Sequence, residues 1–350
     1  MKFGFYSPYL DTFGGGERYM LTLASFLAKK HDVEIFWGGS SIKASLTRFL
    51  KIDLTKTKFV ENIFRQNFLK KIRRTASYDL IFILSDGSVP FSLAKKNILH
   101  FQVPFVFSKI DAKTKLNLTR YKYVVVNSYF TKKYIDKSLK IDSRVIYPPV
   151  DVKSLEAGKK EKLIISVGRF SQNQLHPKKQ EVLIEVFKEL YKDAPTWKLI
   201  LAGQSKKEDY KYIKNLKRSV KGYAIRILEN ISYDELKVLY GRASIYWHAT
   251  GFGEDEIRNP QKMEHFGIST VEAQAAGAVP VVINKGGQKE IIKDKKNGRL
   301  WSTKTQLYEI TKNLIKNKSE MLRLSKRAVV DSKRFSQERF IKEYEKIIFP

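Results

Sequence analysis

The sequence contains no cysteine in its 350 residues. That excludes a disulfide scaffold, thiolate metal sites, iron–sulfur clusters and any cysteine nucleophile. Histidine is also scarce: there are five, and none has metal-ligand spacing. No apolar run reaches the roughly 18 residues that a membrane-spanning helix needs. The opening M-K-F-G-F-Y-S-P lacks the apolar stretch of a signal peptide, so a reducing cytoplasm is the expected setting. Acidic residues are few beside basic ones. Against 36 Asp and Glu stand 66 Lys and Arg, a net charge of +30. Such an excess calls for an anionic partner: nucleic acid, a membrane surface or a phosphorylated substrate.

What is present is a globular composition, 43% hydrophobic, long enough for two domains at about 150 residues each. The positive excess is shared evenly, +15 in residues 1–150 and +15 in residues 151–350. Local clusters include Lys70, Lys71, Arg73 and Arg74, with Phe64 and Phe68 interleaved. Others run from Lys109 to Lys122 and from Lys132 to Lys140. Each cluster reads either as a solvated helix face or as part of a binding surface.

Short β-branched runs alternate with helical periods. Phe3–Ser7, Val33–Trp37, Leu80–Leu84, Ile98–Phe101 and Tyr123–Asn127 read as strands, and Glu17–Lys30 as a helix. A Pro-, Gly- and Lys-rich pause at residues 147–162 reads as a linker, after which the alternation restarts at Leu163–Val167. The pattern predicts two α/β domains with parallel sheets. The expected boundaries are 1–155, 156–335 and a C-terminal helix, 336–350, packing back on the first domain. In such sheets ligands bind beyond the carboxyl ends of the strands, which directs attention to loops that follow strands.

Three such loops carry chemistry. The first, P-Y-L-D-T-F-G-G-G (8–16), opens a helix, and its glycines allow close backbone approach to an anion; a tight turn without ligand is the alternative. It matches neither a dinucleotide fingerprint nor a P-loop, because Tyr19 replaces the third glycine and no G-K-[ST] follows. In the second, Gly168-Arg169 ends a strand and Lys178 follows nine residues later, a fork and a point charge able to converge on one diphosphate. In the third, E-H-F-G-I-S-T-V-E (264–272), Glu264 and Glu272 are eight apart. They flank a glycine turn into a small-residue helix that Gly277 stops. The amides near Ser269 and Thr270 would face a ligand, Glu272 could reach a diol, and Glu264 another part of the same molecule. Plain helix-end charges are the alternative.

These segments resemble the retaining glycosyltransferases of family 4, and the resemblance spans nearly the whole chain. Glu264 and Glu272 match the E-x7-E motif, and Gly168-Arg169 with Lys178 match the diphosphate-binding pair. One departure is Lys179, where the family usually has glycine. V-V-V-N-S-Y-F-T (124–131) and V-I-Y-P-P-V-D (145–151) are similar to family segments. G-G-G-E-R resembles that of the lipid-linked-oligosaccharide mannosyltransferases, and I-L-H-F-Q-V-P places His100 where the family has an active-site histidine.

The resemblance implies a GT-B fold, two Rossmann-like domains facing across a cleft. It also implies roles. Gly15 and Gly16 would approach the donor phosphates, and Arg169 and Lys178 would hold the diphosphate. Glu264 and the amides of Phe266, Gly267, Ile268 and Ser269 would meet sugar and phosphate, with Thr270 beside them. Glu272 would bind the ribose, Asn230 in L-E-N-I-S would lie near the base, and His100 would line the reacting centre. The expected donor is a nucleotide sugar, GDP-mannose before a UDP-sugar, and the acceptor a glycan or lipid-linked glycan. No cofactor and no metal are expected, and G-E-D-E (253–256) reads as a solvated loop. His31 reads as a surface residue and His176 as loop structure; His248 either faces the site or is structural, and His265 packs. The remaining charge, Lys70, Lys71, Arg73 and Arg74 foremost, is expected to form a membrane or acceptor surface. That would place the protein on the cytoplasmic face of an anionic bilayer. A nucleic-acid-binding protein and a phosphorylase or epimerase of the same fold are the alternatives.

Overall fold

A computed structural model describes residues 1–107 and 109–350. The chain divides into two compact units: residues 1–149 with 338–350, and residues 150–337.

Unit 1 holds a parallel sheet of β1 (Lys2–Tyr6), β2 (Asp32–Phe36), β3 (Lys58–Val60), β4 (Leu80–Ser85), β5 (Lys96–Phe101), β6 (Tyr123–Val126) and β7 (Arg144–Val145). Its order is β3-β2-β1-β4-β5-β6-β7. Helices α1 (Gly15–Leu27), α2 (Ser41–Leu50), α3 (Phe68–Thr75), α4 (Ala112–Leu118) and α5 (Tyr129–Leu139) connect the strands. Central strands are buried on both faces, as all-parallel pairing requires. Every residue of L-I-F-I-L-S in β4 is buried.

Unit 2 repeats the scheme with β8 (Glu161–Val167), β9 (Lys198–Gly203), β10 (Ile225–Glu229), β11 (Ala243–His248), β12 (Val279–Ile283) and β13 (Arg299–Trp301) in the order β10-β9-β8-β11-β12-β13. Its helices are α6 (Gln180–Asp193), α7 (Tyr210–Ser219), α8 (Tyr233–Arg242), α9 (Ile268–Ala275), α10 (Gln288–Ile291), α11 (Lys304–Lys316) and α12 (Lys318–Ser332). A last helix, α13 (Gln337–Ile348), returns to unit 1. Its Phe340, Tyr344, Ile347 and Ile348 lie in one core with Phe3, Tyr19, Phe82 and Ile98. Tyr344 and Tyr19 join their hydroxyls at 2.8 Å, and Lys96 donates to the Ile348 carbonyl.

The stretch after residue 150 is less of a free linker than its composition suggests. Val150 pairs with Ser336, Leu155 is buried, and the Gly158 N–H donates to the Gly241 carbonyl. In both sheets the strand order reverses beside the first strand, between β1 and β4 and between β8 and β11. The loops after those strands occupy the position where open α/β sheets bind ligands. No helix among the described residues is long and apolar enough to cross a membrane.

Candidate functional site

The richest constellation grows from the carboxyl ends of β8 and β11 in unit 2. Gly168 follows β8 directly, and a side chain there would come within 2.6 Å of Lys178 Cγ. Glycine therefore lets the loop fold back until Lys178 lies against the strand end. The next residue, Lys179, has φ 55° and ψ 42°, the left-handed conformation that glycine favours. Lys179 thus holds a backbone conformation that suits glycine. Its ammonium is tied back within unit 2, pairing with Glu254 at 3.2 Å.

Lys178 Nζ lies 2.7 Å from Glu264 Oε2, and His248 Nε2 lies 2.9 Å from the same oxygen. Because a carboxylate only accepts, His248 carries its hydrogen on Nε2. Burial would raise the Glu264 pKa. The Lys178 ammonium, the His248 hydrogen bond and nearby His176 outweigh it and hold the carboxyl well below its usual range. Burial pushes His248 down, so the ring is neutral near pH 7, and burial with the Lys178 charge pushes His176 well down. The His176 ring lies tilted against His265 with centroids 4.8 Å apart, and His265 Nε2 donates to the Gln261 carbonyl. Both partners of Glu264 take Oε2; Oε1 has none among the described residues. Arg169, at the end of β8, is exposed and pairs with no carboxylate among the described residues. Lys178, Glu264 and His248 are thus brought together, and His176 beside them feels the charges of both Lys178 and Arg169.

The glycine turn follows. Gly267 has φ 120°, and a Cβ there would come within 2.5 Å of Gln288 Nε2. It admits the chain into α9, where the Ser269 and Tyr246 hydroxyls meet at 2.8 Å and Thr270 donates to Gln288 Oε1 at 3.0 Å. Phe266 is buried edge-on against Phe335, and Ile268 is the first residue of the helix. Gly277, at φ 77°, follows the helix end. Glu272, buried one turn into α9, accepts from Tyr233 at 3.2 Å and Tyr240 at 3.1 Å. Asn230 stands apart in a left-handed turn with φ 54°, its side-chain amide bonded to the backbone N–H and hydroxyl of Ser205.

The acidic run is not a solvated loop, which corrects the reading from composition. Glu254 is held by Lys179 and Lys262, and Glu256 by Lys289 and the Gly286 N–H. Three of these four contacts, to Lys179, Lys289 and the Gly286 N–H, reach across 30 or more residues, so the loop is a clamp. Sequence reasoning also missed Tyr233 and Tyr240, which hold Glu272, and left open the role of His248. Only the position of His248 at a strand end hinted at it.

Unit 1 places its expected residues differently. Gly15 and Gly16 begin α1, but the helix start is already met by an internal carboxylate. Glu17 accepts from the Gly14 N–H at 2.9 Å, the Thr12 hydroxyl at 2.8 Å and the Ser7 hydroxyl at 3.4 Å. Burial raises the Glu17 pKa. His100 is fully buried in β5, stacked on Tyr19 at 3.9 Å and beside Phe82, and burial lowers its pKa to about 3. In this arrangement its ring is a neutral core group that presents no surface. His31 is half-buried between Phe3 and Phe349. Lys70, Lys71, Arg73 and Arg74 all lie on α3.

The family described as glycosyl transferases group 1 matches residues 149–330. The chain is 27% identical over 297 residues to the GDP-Man:Man(3)GlcNAc(2)-PP-Dol alpha-1,2-mannosyltransferase of Dictyostelium discoideum, covering 79% of this chain and 55% of that protein. To the human protein of the same name it is 29% identical over 216 residues, covering 57% and 40%. The chain thus spans about half the length of the curated relatives it matches. Among solved structures, a glycosyltransferase from Rickettsia africae superposes with a TM-score of 0.77 at 16% identity, covering 99% of this chain and 97% of the other. The Anabaena protein HepE in complex with UDP-glucose gives 0.72 at 16% identity, covering 99% of each. These likenesses show the fold: two parallel-sheet α/β units of the GT-B type.

Proposed function

Because the chain belongs to the group 1 glycosyl transferases, we propose that it is a retaining, family 4 enzyme. In this reading it moves mannose from GDP-mannose to a lipid-linked glycan. The observation that carries it is the Lys178–Glu264 pair at the strand-order reversal of unit 2, with Arg169 at the end of β8. The names of the curated relatives support GDP-mannose and a dolichol-linked acceptor. The HepE complex keeps UDP-glucose as the second donor to test.

In this reading Arg169 and Lys178 face the donor diphosphate, and Glu272 takes the ribose hydroxyls. The amides of Phe266 to Thr270 face phosphate and sugar. Glu264, fixed through Oε2, offers Oε1 to a hydroxyl of the donor sugar. As the anomeric C–O bond to the diphosphate breaks, negative charge grows on the leaving phosphate. Arg169 and Lys178 stabilise it without reorganisation, and the role needs no resident metal. The acceptor hydroxyl oxygen bonds to the anomeric carbon from the same face, and its proton passes to the leaving phosphate oxygen. Asn230 shapes the turn beside the base.

The test is a panel of nucleotide sugars offered to the purified protein, with donor binding by calorimetry and slow donor hydrolysis as readouts. GDP-mannose is expected to bind tightest. A UDP-sugar binding tighter overturns the donor assignment, and no binding of any donor by folded protein overturns the reading.

A further inference from the structure

Positive charge outside the site gathers on α3 and α4 of unit 1, which rest on one segment between β4 and β5. The segment between β4 and β5 forms a shared floor. Leu93 N–H donates to Thr75 Oγ1 of α3, and the Phe91 ring meets Phe68 with centroids 5.9 Å apart. On the other side Asn117 of α4 donates to the Val89 carbonyl at 2.7 Å, and Arg120 to the Ser92 carbonyl. The two helices therefore present one continuous surface.

That surface has an unusual chemistry. Residues 62–78 contain no Asp or Glu, and residues 109–122 contain only Asp111, which caps α4 by accepting from the Thr114 N–H. Lys70, Lys71, Arg73, Lys113 and Lys115 have no carboxylate partner among the described residues. Burial and the neighbouring Lys113 ammonium both lower the Lys71 pKa, so the two cations crowd each other. Between these charges large apolar side chains stand in solvent: Phe68 is 57%, Leu69 77% and Leu116 63% exposed. Leu69, Lys70 and Arg73 are exposed together on the outer side of α3. Single exposed leucines are ordinary on a protein surface, but a polyanion alone would gain nothing from apolar side chains set among these cations. Apolar side chains set among unpaired cations match a bilayer, whose headgroups take the charge while its acyl boundary takes the leucines.

We propose that the α3–α4 surface docks on an anionic phospholipid bilayer, with Leu69 and Leu116 entering the interface and Lys70, Lys71, Arg73, Lys113 and Lys115 meeting headgroups. It rests on charge and exposure in unit 1 and goes beyond the transferase reading. The test is co-sedimentation of the full chain with vesicles of equal parts phosphatidylcholine and phosphatidylglycerol, against pure phosphatidylcholine. Binding is expected only with the anionic lipid and should fade with salt. The pair Lys70→Gln and Lys71→Gln should lower partition about 25-fold, at roughly fivefold per charge. Leu69→Ser should lower it too while leaving donor hydrolysis in vesicle-free buffer unchanged, which separates this proposal from the transferase reading. Circular dichroism checks that each variant folds. Absence of wild-type binding to the anionic vesicles overturns the proposal. So does binding that Leu69→Ser and Leu116→Ser leave intact, and so does tighter binding to a single-stranded oligonucleotide that ignores both leucines.

Discussion

Lys178 and Glu264 neutralise each other at 2.7 Å, in side chains that are each only 14% exposed, while Arg169 beside them has no counter-charge. The two cations of the site therefore do different work. Lys178 contributes to the fold as well as to the site. Arg169 makes no such pair among the described residues.

Substitution should separate those two roles. Lys178→Met leaves a buried carboxylate without its cation and should cost about 3 kcal/mol of stability. Adding Glu264→Gln should restore part of it. Arg169→Ala should leave stability unchanged and lower turnover about 100-fold, as loss of one preorganised donor does. Urea unfolding and donor turnover, measured on the same three proteins, check both statements.

His100 makes unit 1 sensitive to acid in a predictable direction. Its folded pKa is lowered to about 3 by burial, whereas an unfolded histidine titrates near 6.5. Above about pH 6.5 the ring is neutral in both states, and its full contribution is present. As pH falls from there towards 3 the unfolded chain takes up a proton that the folded chain refuses. Stability should drop by about 1.4 kcal/mol per pH unit from this group. His100→Phe, which keeps a ring against Tyr19, should flatten that part of the pH profile of unfolding. A profile unchanged by the substitution would contradict the buried neutral ring.

Lys179 offers a test of backbone against side chain. Its left-handed conformation disfavours any residue with a Cβ by about 1 kcal/mol, and the Glu254 pair offsets that cost. Lys179→Ala loses the pair and keeps the strain, whereas Lys179→Gly loses the pair and relieves it. The glycine variant should therefore be more stable than the alanine variant by roughly 1 kcal/mol in denaturant titrations.

The two tyrosines on Glu272 should differ in weight. Tyr240 is fully buried, so Tyr240→Phe removes an internal donor and should cost about 2 kcal/mol of stability. Tyr233→Phe, at a half-exposed position, should cost less. If Glu272 binds ribose, Glu272→Gln should weaken GDP binding more than tenfold in calorimetry, while the free phosphate affinity stays as it was.

Much of the architecture could be read from periodicity. The alternation of β-branched runs with 3.6-residue patterns located the main strands to within a residue or two, because buried parallel strands must be continuously apolar. The edge strands β3, β7 and β13 escaped, being only two or three residues long and too short to show a period. The glycine turn and α9 were legible for a different reason: Gly267 and Gly277 are both forced by left-handed φ, so the sequence marks the ends of the helix. Long-range partners were not legible. Nothing local in E-D-E says that its charges close on lysines up to 75 residues away. Nor does the sequence around Tyr233 and Tyr240 announce that both hydroxyls meet Glu272. His100 shows the converse, a histidine at a suggestive address whose surroundings are a stacked tyrosine and a closed core.

The return of α13 to the first sheet has a consequence for the order of folding. Unit 2 has every one of its residues once position 337 has been synthesised. Unit 1 must wait for Phe340, Tyr344, Ile347 and Ile348, although its sheet was made first. On the ribosome the usual sequence of N-terminal domain before C-terminal domain is therefore inverted for the final closing of the core. Until then Tyr19 lacks its hydroxyl partner on Tyr344 and the apolar face under it stays uncovered. The nascent first unit is the form that a chaperone would meet.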